Sequence, residues 1–177
     1  KNRRDTYKVA LVGYTNSGKS TLMNQLTGAE TLVENKLFAT LDSTMRKIKK
    51  NFPYPVVLSD TVGLIDKLPH DLIASFKSTL DEVRDANLLI RMVDISDSNA
   101  KRQIETTNNV INELGVKDTD SLLVFNKVDN VNDPEIIESE LQRNPKAIII
   151  SSKNGTGLDV LRNAIISNYE SKLSSHQ

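Results

Sequence analysis

Gly13-Tyr14-Thr15-Asn16-Ser17-Gly18-Lys19-Ser20 fits the phosphate-binding pattern G-x-x-x-x-G-K-[ST], and the residues on either side of it decide the fold. The apolar run YKVALVG at 7–13 reads as a buried strand, while Leu22, Met23 and Leu26, just after Thr21, fall at helical spacing. A glycine-bearing loop between a strand and a helix lets backbone N–H groups at the helix start surround phosphate oxygens. In that context Lys19 would neutralise the outer phosphates and the Ser20 hydroxyl would ligate Mg²⁺. The bland reading, a chance match in a glycine-containing turn, is weakened by those two flanks.

Outward from this loop, short apolar runs alternate with amphipathic stretches. Residues 47–50 and 56–60 read as two strands around the turn-like Phe-Pro-Tyr-Pro segment, and 71–87 carries Leu72, Ile73, Phe76, Leu80 and Val83 at helical spacing. Residues 88–94 read as an apolar strand covered on both faces. A helix near 100–114 ends at Gly115, a strand spans 122–126, and Pro134 opens a helix to about 143. The last strand is expected at 147–151 and the last helix at 158–172. Strands alternating with helices predict the α/β class. The architecture expected is a P-loop NTPase three-layer sandwich: a mainly parallel sheet with one antiparallel edge strand and helices on both faces.

Composition narrows the setting. The 177 residues suit one domain, and 23 basic residues balance 23 acidic ones, so net charge gives no argument for nucleic acid or membrane binding. With no cysteine, disulfides, thiol catalysis and thiolate metal sites are excluded. No apolar run approaches the roughly 18 residues of a membrane span. A monomer in a reducing, cytoplasmic setting without stable membrane association is the expectation. The opening KNRR leads almost at once into strand-like sequence, as in a domain taken from a longer protein.

Three further motifs follow in order. Asp60-Thr61-Val62-Gly63 closes the second apolar run, where a carboxylate can hold Mg²⁺ through water and Gly63 lets a backbone N–H approach a terminal phosphate. Asn126-Lys127-Val128-Asp129 closes another. The Asp129 carboxylate can accept from the ring N–H and exocyclic amine of guanine, a donor pair adenine lacks. Asn126 would tie the phosphate loop to the base loop, and the Lys127 stem would cover the ring. Ser151-Ser152-Lys153 follows the last strand, where backbone N–H groups can reach the guanine carbonyl. Alone, each of these is a common polar turn; their order gives them weight. Between the first two lies Leu37-Phe38-Ala39-Thr40-Leu41-Asp42, a stretch where Thr40 and Thr44 are both chemically suited to complete a Mg²⁺ shell.

GYTNSGKSTLMNQLTGA, LFATLD, LSDTVGLIDKLPHDLIASFKSTLDEV and FNKVD together resemble the GTPase domain of the HflX family, in the translation-factor-like class of P-loop GTPases. The resemblance covers nearly the whole chain. It implies GTP and GDP as ligands, Mg²⁺ as cofactor, the large ribosomal subunit as partner and a further N-terminal domain. It selects Thr40 as the Mg²⁺-linked threonine beside Phe38, Ala39, Leu41 and Asp42, and Asp60 as the sensor carboxylate. Ser43, Leu64 and Ser152 depart from the residues usual in the family (Pro, Phe and Ala).

The catalytic set expected is Lys19, Thr40 and the Gly63 backbone, with Mg²⁺ on Ser20, Thr40 and Asp60. Many GTPases place Gln just after D-x-x-G to position water. Leu64 stands there and can neither orient nor deprotonate it, so slow turnover raised by a partner is expected. Asn16 is suited to a charge-compensating K⁺, or equally to stabilising the loop. Competing readings are an ATP-dependent P-loop enzyme, opposed by NKVD, and a nucleotide-binding regulatory module with little or no turnover. The basic run 46–50 reads as a charged edge strand, and His70 and His176 lack the partners a catalytic base needs.

Overall fold

The computed structural model describes residues 6–28, 44–48, 52–60, 81 and 83–175. Strands β1 (Tyr7–Gly13), β2 (Thr44–Ile48), β3 (Val56–Asp60), β4 (Leu88–Asp94), β5 (Asp120–Asn126) and β6 (Ile148–Ile149) form one sheet. Helices with described bounds are α1 (Lys19–Thr27), α2 (Ala100–Glu113), α3 (Pro134–Arg143) and α4 (Leu158–Ser175). The order across the sheet is β2-β3-β1-β4-β5-β6. β2 runs antiparallel to β3, and the other neighbours are parallel. This is the expected sandwich with its single antiparallel edge strand.

Side chains alternate across a strand, so the two faces can be read from β1. Val9 and Leu11 pack with Leu22 and Leu26 of α1 and Leu161 and Ile165 of α4. Ala10 and Val12 join Val110 and Ile111 of α2 on the opposite face, and Val93 and Phe125 meet Ala100 there with Ile137 of α3 packed alongside. β4 departs from an unbroken apolar pattern at one place. Between Leu89 and Val93, which face α2, the slot is held by Arg91, whose Nη1 donates to Asn108 Oδ1 at 2.9 Å.

Helix ends follow their local chemistry. Asp133 accepts from the Glu135 N–H at 3.0 Å ahead of Pro134 in the first turn of α3. Beyond α2, Gly115 adopts φ 75°, the Gly115 N–H bonds Asn112 O at 3.1 Å, and the Val116 N–H bonds Ile111 O at 3.3 Å. That pair of bonds is a Schellman cap.

Several boundaries differ from expectation, β5 starting at Asp120 rather than 122 and α4 running to Ser175 rather than 172. β2 starts at Thr44 rather than 47, because its antiparallel register runs from Thr44 opposite Asp60 to Ile48 opposite Val56 and so uses all of β3. β6 is shorter than 147–151: the Ala147 N–H closes a turn on Asn144 O, and Ser151 pairs back on Thr156. Of the helix expected at 71–87, residues 71–80 lie outside the described residues, and Asp81 and 83–85 are helical.

Gly13, Asp60, Asp94 and Asn126 all end parallel strands at the same edge of the sheet. β1 and β4 are neighbours, and the helices that follow them, α1 and α2, pack on opposite faces of the sheet, so the loops leaving these two strands diverge and open a crevice.

Candidate functional site

The loop after β1 is built tightly. A 3₁₀ turn at Thr15–Ser17 follows Tyr14, whose carbonyl accepts from the Ser17 N–H at 3.0 Å and from Ser17 Oγ at 2.6 Å. Lys19 is only 3% exposed, and its Nζ donates to Gly13 O at 2.7 Å and Tyr14 O at 2.9 Å. The ammonium thus lies across the loop whose N–H groups would meet phosphates. Gly18 sits at φ 91°, and a Cβ there would lie 2.4 Å from Asn126 Nδ2. Only glycine combines that backbone with that approach. Thr15, Asn16, Ser20 and Thr21 are exposed around it.

Ser20 and Asp60 face each other from the start of α1 and the end of β3, Ser20 Oγ donating to Asp60 Oδ2 at 3.4 Å. Asp60 is 3% exposed, and its Oδ1 is buried with no hydrogen-bond partner among the described residues. Burial pushes this carboxyl above its ordinary value, outweighing the opposing pull of Lys19 and the Ser20 hydroxyl. An orphaned carboxylate oxygen beside a hydroxyl is a hard-oxygen donor pair, and it fits Mg²⁺. Among the described residues no cluster of three or more His, Cys, Asp or Glu could hold a metal alone. The donor set therefore suits an ion completed by ligand oxygens and water.

The second half of the crevice is organised by Asn126, which is fully buried. Its Nδ2 donates to Ser17 O at 2.8 Å and Ser152 Oγ at 2.9 Å, and its Oδ1 accepts from the Ser152 N–H at 2.9 Å. Lys127 has φ 66°, the only positive φ among the described non-glycine residues, and its Nζ lies 3.6 Å from Asp94 Oδ2. Asp129 is exposed, and its Oδ1 accepts from Ser151 Oγ at 2.8 Å. Ser151 is fixed in turn by its N–H to Thr156 O at 2.9 Å, while Lys153 is exposed.

The structure adds residues the sequence reading passed over. Gln25 Nε2 donates to Ser152 O at 2.9 Å, tying α1 to the last loop. Asp94 ends β4 as Asp60 ends β3, and that acidic end of an apolar run was the signal available for it. Asp97 Oδ2 accepts from Asn16 Nδ2 at 2.8 Å and from Gln103 Nε2 at 3.2 Å, and its Oδ1 accepts from the Asn99 N–H at 2.8 Å. The Asn99 N–H is the largest reason the Asp97 carboxyl sits below its ordinary value. Phe38, Ala39, Thr40, Leu41, Asp42, Thr61, Val62, Gly63, Leu64, His70 and His176 lie outside the described residues.

The family model described as "50S ribosome-binding GTPase" matches residues 8–127. Over 171 residues the chain is 46% identical to "GTPase HflX" of Gluconacetobacter diazotrophicus, covering 97% of this chain and 38% of that relative. The corresponding values for "GTPase HflX" of Escherichia coli are 40% over 175 residues, 98% and 41%. The chain thus spans about two fifths of the length of these relatives. Among solved structures it is similar to a GTP-binding protein from Sulfolobus solfataricus in complex with GDP, with TM-score 0.70, 26% identity and coverage of 92% of this chain and 52% of that one. Aquifex aeolicus Era bound to GDP·AlF₄⁻ has TM-score 0.70 at 22% identity, covering 93% and 57%, a likeness of fold. With HflX relatives 40–46% identical across nearly the whole chain and the GTPase family model matching residues 8–127, the chain belongs to the HflX family of GTPases.

Proposed function

We propose that this chain binds GTP and GDP with Mg²⁺ in the crevice at the carboxyl ends of β1, β3 and β5, and hydrolyses GTP as a ribosome-dependent switch. The observation that carries the reading is the Asn126 bridge between Ser17 and Ser152, which supports one ligand contacted by the phosphate loop and by the loop bearing Asp129.

Each residue has a task in that reading. The N–H groups of 14–20 donate to phosphate oxygens, and Lys19 turns its ammonium from the Gly13 and Tyr14 carbonyls toward the outer phosphates. Ser20 and Asp60, with Thr40, would hold Mg²⁺, which would supply positive charge to the phosphate oxygens. Asp129, steadied by Ser151, accepts the guanine donor pair. Hydrolysis adds water to the terminal phosphorus and breaks its bond to the oxygen that leaves on GDP. Leu64 cannot position that water, which supports slow turnover until a partner orders the site. The description "50S ribosome-binding GTPase" supports the large ribosomal subunit as that partner, in the cytoplasm. Among the described residues no helix is long and apolar enough to cross a membrane.

Asn16 supports K⁺ as a further ion. Because an ionised carboxylate only accepts, the amide nitrogen faces Asp97, and Oδ1 is left as the atom suited to a cation.

GTP hydrolysis with and without purified large ribosomal subunits, in K⁺ and in Na⁺, tests the reading. Slow turnover that rises strongly with subunits is the expected result, with the K⁺ rate above the Na⁺ rate. GTP binding without hydrolysis in every condition would leave a binding module in place of a GTPase. Equal rates in the two salts would remove the K⁺ role.

A further inference from the structure

We propose that a polar pocket on the α2 face of the sheet, apart from the nucleotide crevice, binds an oxyanion, a phosphate or carboxylate group, between Arg91 and Lys117. The pocket has a volume of about 300 Å³, and its lining includes Arg91, Asn108, Asn112, Lys117, Thr119 and Ser121. Among the described residues its lining has two cations, amide and hydroxyl donors, and no carboxylate. Arg91 lies three residues before Asp94, roughly 10 Å back along β4 from the crevice edge.

The sequence makes Arg91 conspicuous. Leu88, Leu89, Ile90, Met92 and Val93 are each 1% exposed or less, and Arg91 stands in a slot that an apolar side chain would fill. Arg91 itself is half-buried, and the partial desolvation of its guanidinium costs free energy that a counter-charge would offset. Burial lowers the Arg91 pKa from its ordinary value, as expected of a cation short of compensation.

The described residues supply little in return. Among them the Nη1 partner is the neutral Asn108 Oδ1, and Nε is buried with no acceptor. No ion pair among the described residues includes Arg91. Asp120, at the start of the neighbouring strand, instead accepts from Asn168 Nδ2 at 3.0 Å and lies 3.8 Å from Lys172 Nζ. The carbonyls at the end of α2 are also occupied, Asn112 O by the Gly115 N–H and Ile111 O by the Val116 N–H. Among the described residues no acceptor carrying negative charge meets Arg91. A planar guanidinium fork matches the paired oxygens of carboxylate and phosphate, and the exposed Lys117 adds a second charge at the rim.

The test uses the ¹⁵N-labelled chain saturated with GDP and Mg²⁺, so that the phosphate loop is filled. Sodium phosphate and sodium acetate are titrated separately, with sodium chloride at matched ionic strength as control. The readout is the Arg91 Nε–H resonance, assigned by its loss in Arg91→Lys and local to the pocket whatever occupies the crevice. A saturable shift with phosphate or acetate and none with chloride is expected. Lys117→Glu, on an exposed side chain that leaves the fold intact, is expected to weaken it at least about tenfold. Tighter phosphate binding identifies a phosphate-bearing ligand, and acetate binding as tightly or more so identifies a carboxylate. No saturable shift with either anion, the same shift with chloride, or unchanged affinity in Lys117→Glu would overturn the proposal.

Discussion

The side-chain amide of Asn126 donates to the Ser17 carbonyl at 2.8 Å across 109 residues of sequence. The same side chain exchanges two hydrogen bonds with Ser152, so a fully buried residue at the end of β5 joins the first and last loops of the crevice. Geometry on one side of the site is thereby coupled to geometry on the other.

Asn126→Ala would leave the Ser17 carbonyl and the Ser152 N–H without their partner in a buried setting. At about 1–3 kcal/mol for each such group, the loss of stability is expected to be roughly 3 kcal/mol. Urea unfolding of the nucleotide-free chain measures it, and GDP affinity is expected to fall in parallel. A loss below about 0.5 kcal/mol would show that water replaces the tether freely.

Lys127 adopts a left-handed backbone conformation that costs a residue with a side chain about 1–2 kcal/mol. Glycine would relieve that strain while adding freedom to the unfolded chain. Lys127→Gly is therefore expected to keep stability within about 1 kcal/mol while weakening GDP binding, because the stem proposed to cover the base is gone. Unfolding and fluorescent-GDP titration together check the split. Lost stability with unchanged affinity would give Lys127 a purely structural role.

The Asp60 carboxyl titrates above its ordinary value of 3.8 because burial disfavours its charge. With the folded value raised, its contribution to folding is present while it is protonated and is lost as pH rises through that folded value. The nucleotide-free Asp60→Asn variant is thus expected to be more stable than the parent at neutral pH, by a margin that grows as pH rises above 3.8 and then levels off. Mg²⁺-dependent stabilisation by GTP should disappear in the same variant. Urea midpoints across a pH series in chelator, then with Mg²⁺ and nucleotide, test both parts. A variant less stable at neutral pH would contradict this reading of the site.

Asp129→Asn exchanges an acceptor for a group that also donates. Loss of two charge-assisted bonds to guanine is expected to weaken GDP roughly 10²–10⁴-fold. Xanthine, which carries a carbonyl where guanine carries its exocyclic amine, should gain affinity. Competition between GDP and xanthosine diphosphate for the variant checks this, and unchanged preference for GDP would move base recognition elsewhere.

Much of this arrangement was legible from residue spacing. The strand-loop-helix order around Gly13 to Ser20 and the polar ends of apolar runs located Lys19, Asp60 and Asn126, because parallel strands in a two-faced sheet must be apolar until they emerge at an edge. Boundaries set by pairing were less legible. The length of β2 follows the register with β3, and β6 is cut short by the turn at Ala147 and the return of Ser151 to Thr156. Asp97 and Gln25 were missed because their roles arise from contacts 81 and 127 residues away in sequence, which no local pattern encodes. Reading 88–94 as an apolar strand passed over Arg91, whose meaning came only with the pocket in front of it.

Displacement of a fluorescent GDP analogue by GTP, GDP and ATP in Mg²⁺ tests the central claim most directly. The account predicts that GTP and GDP compete while ATP fails at roughly a hundredfold excess, because adenine cannot offer Asp129 its donor pair. Equal displacement by ATP would contradict it and leave the crevice a phosphate site without base recognition.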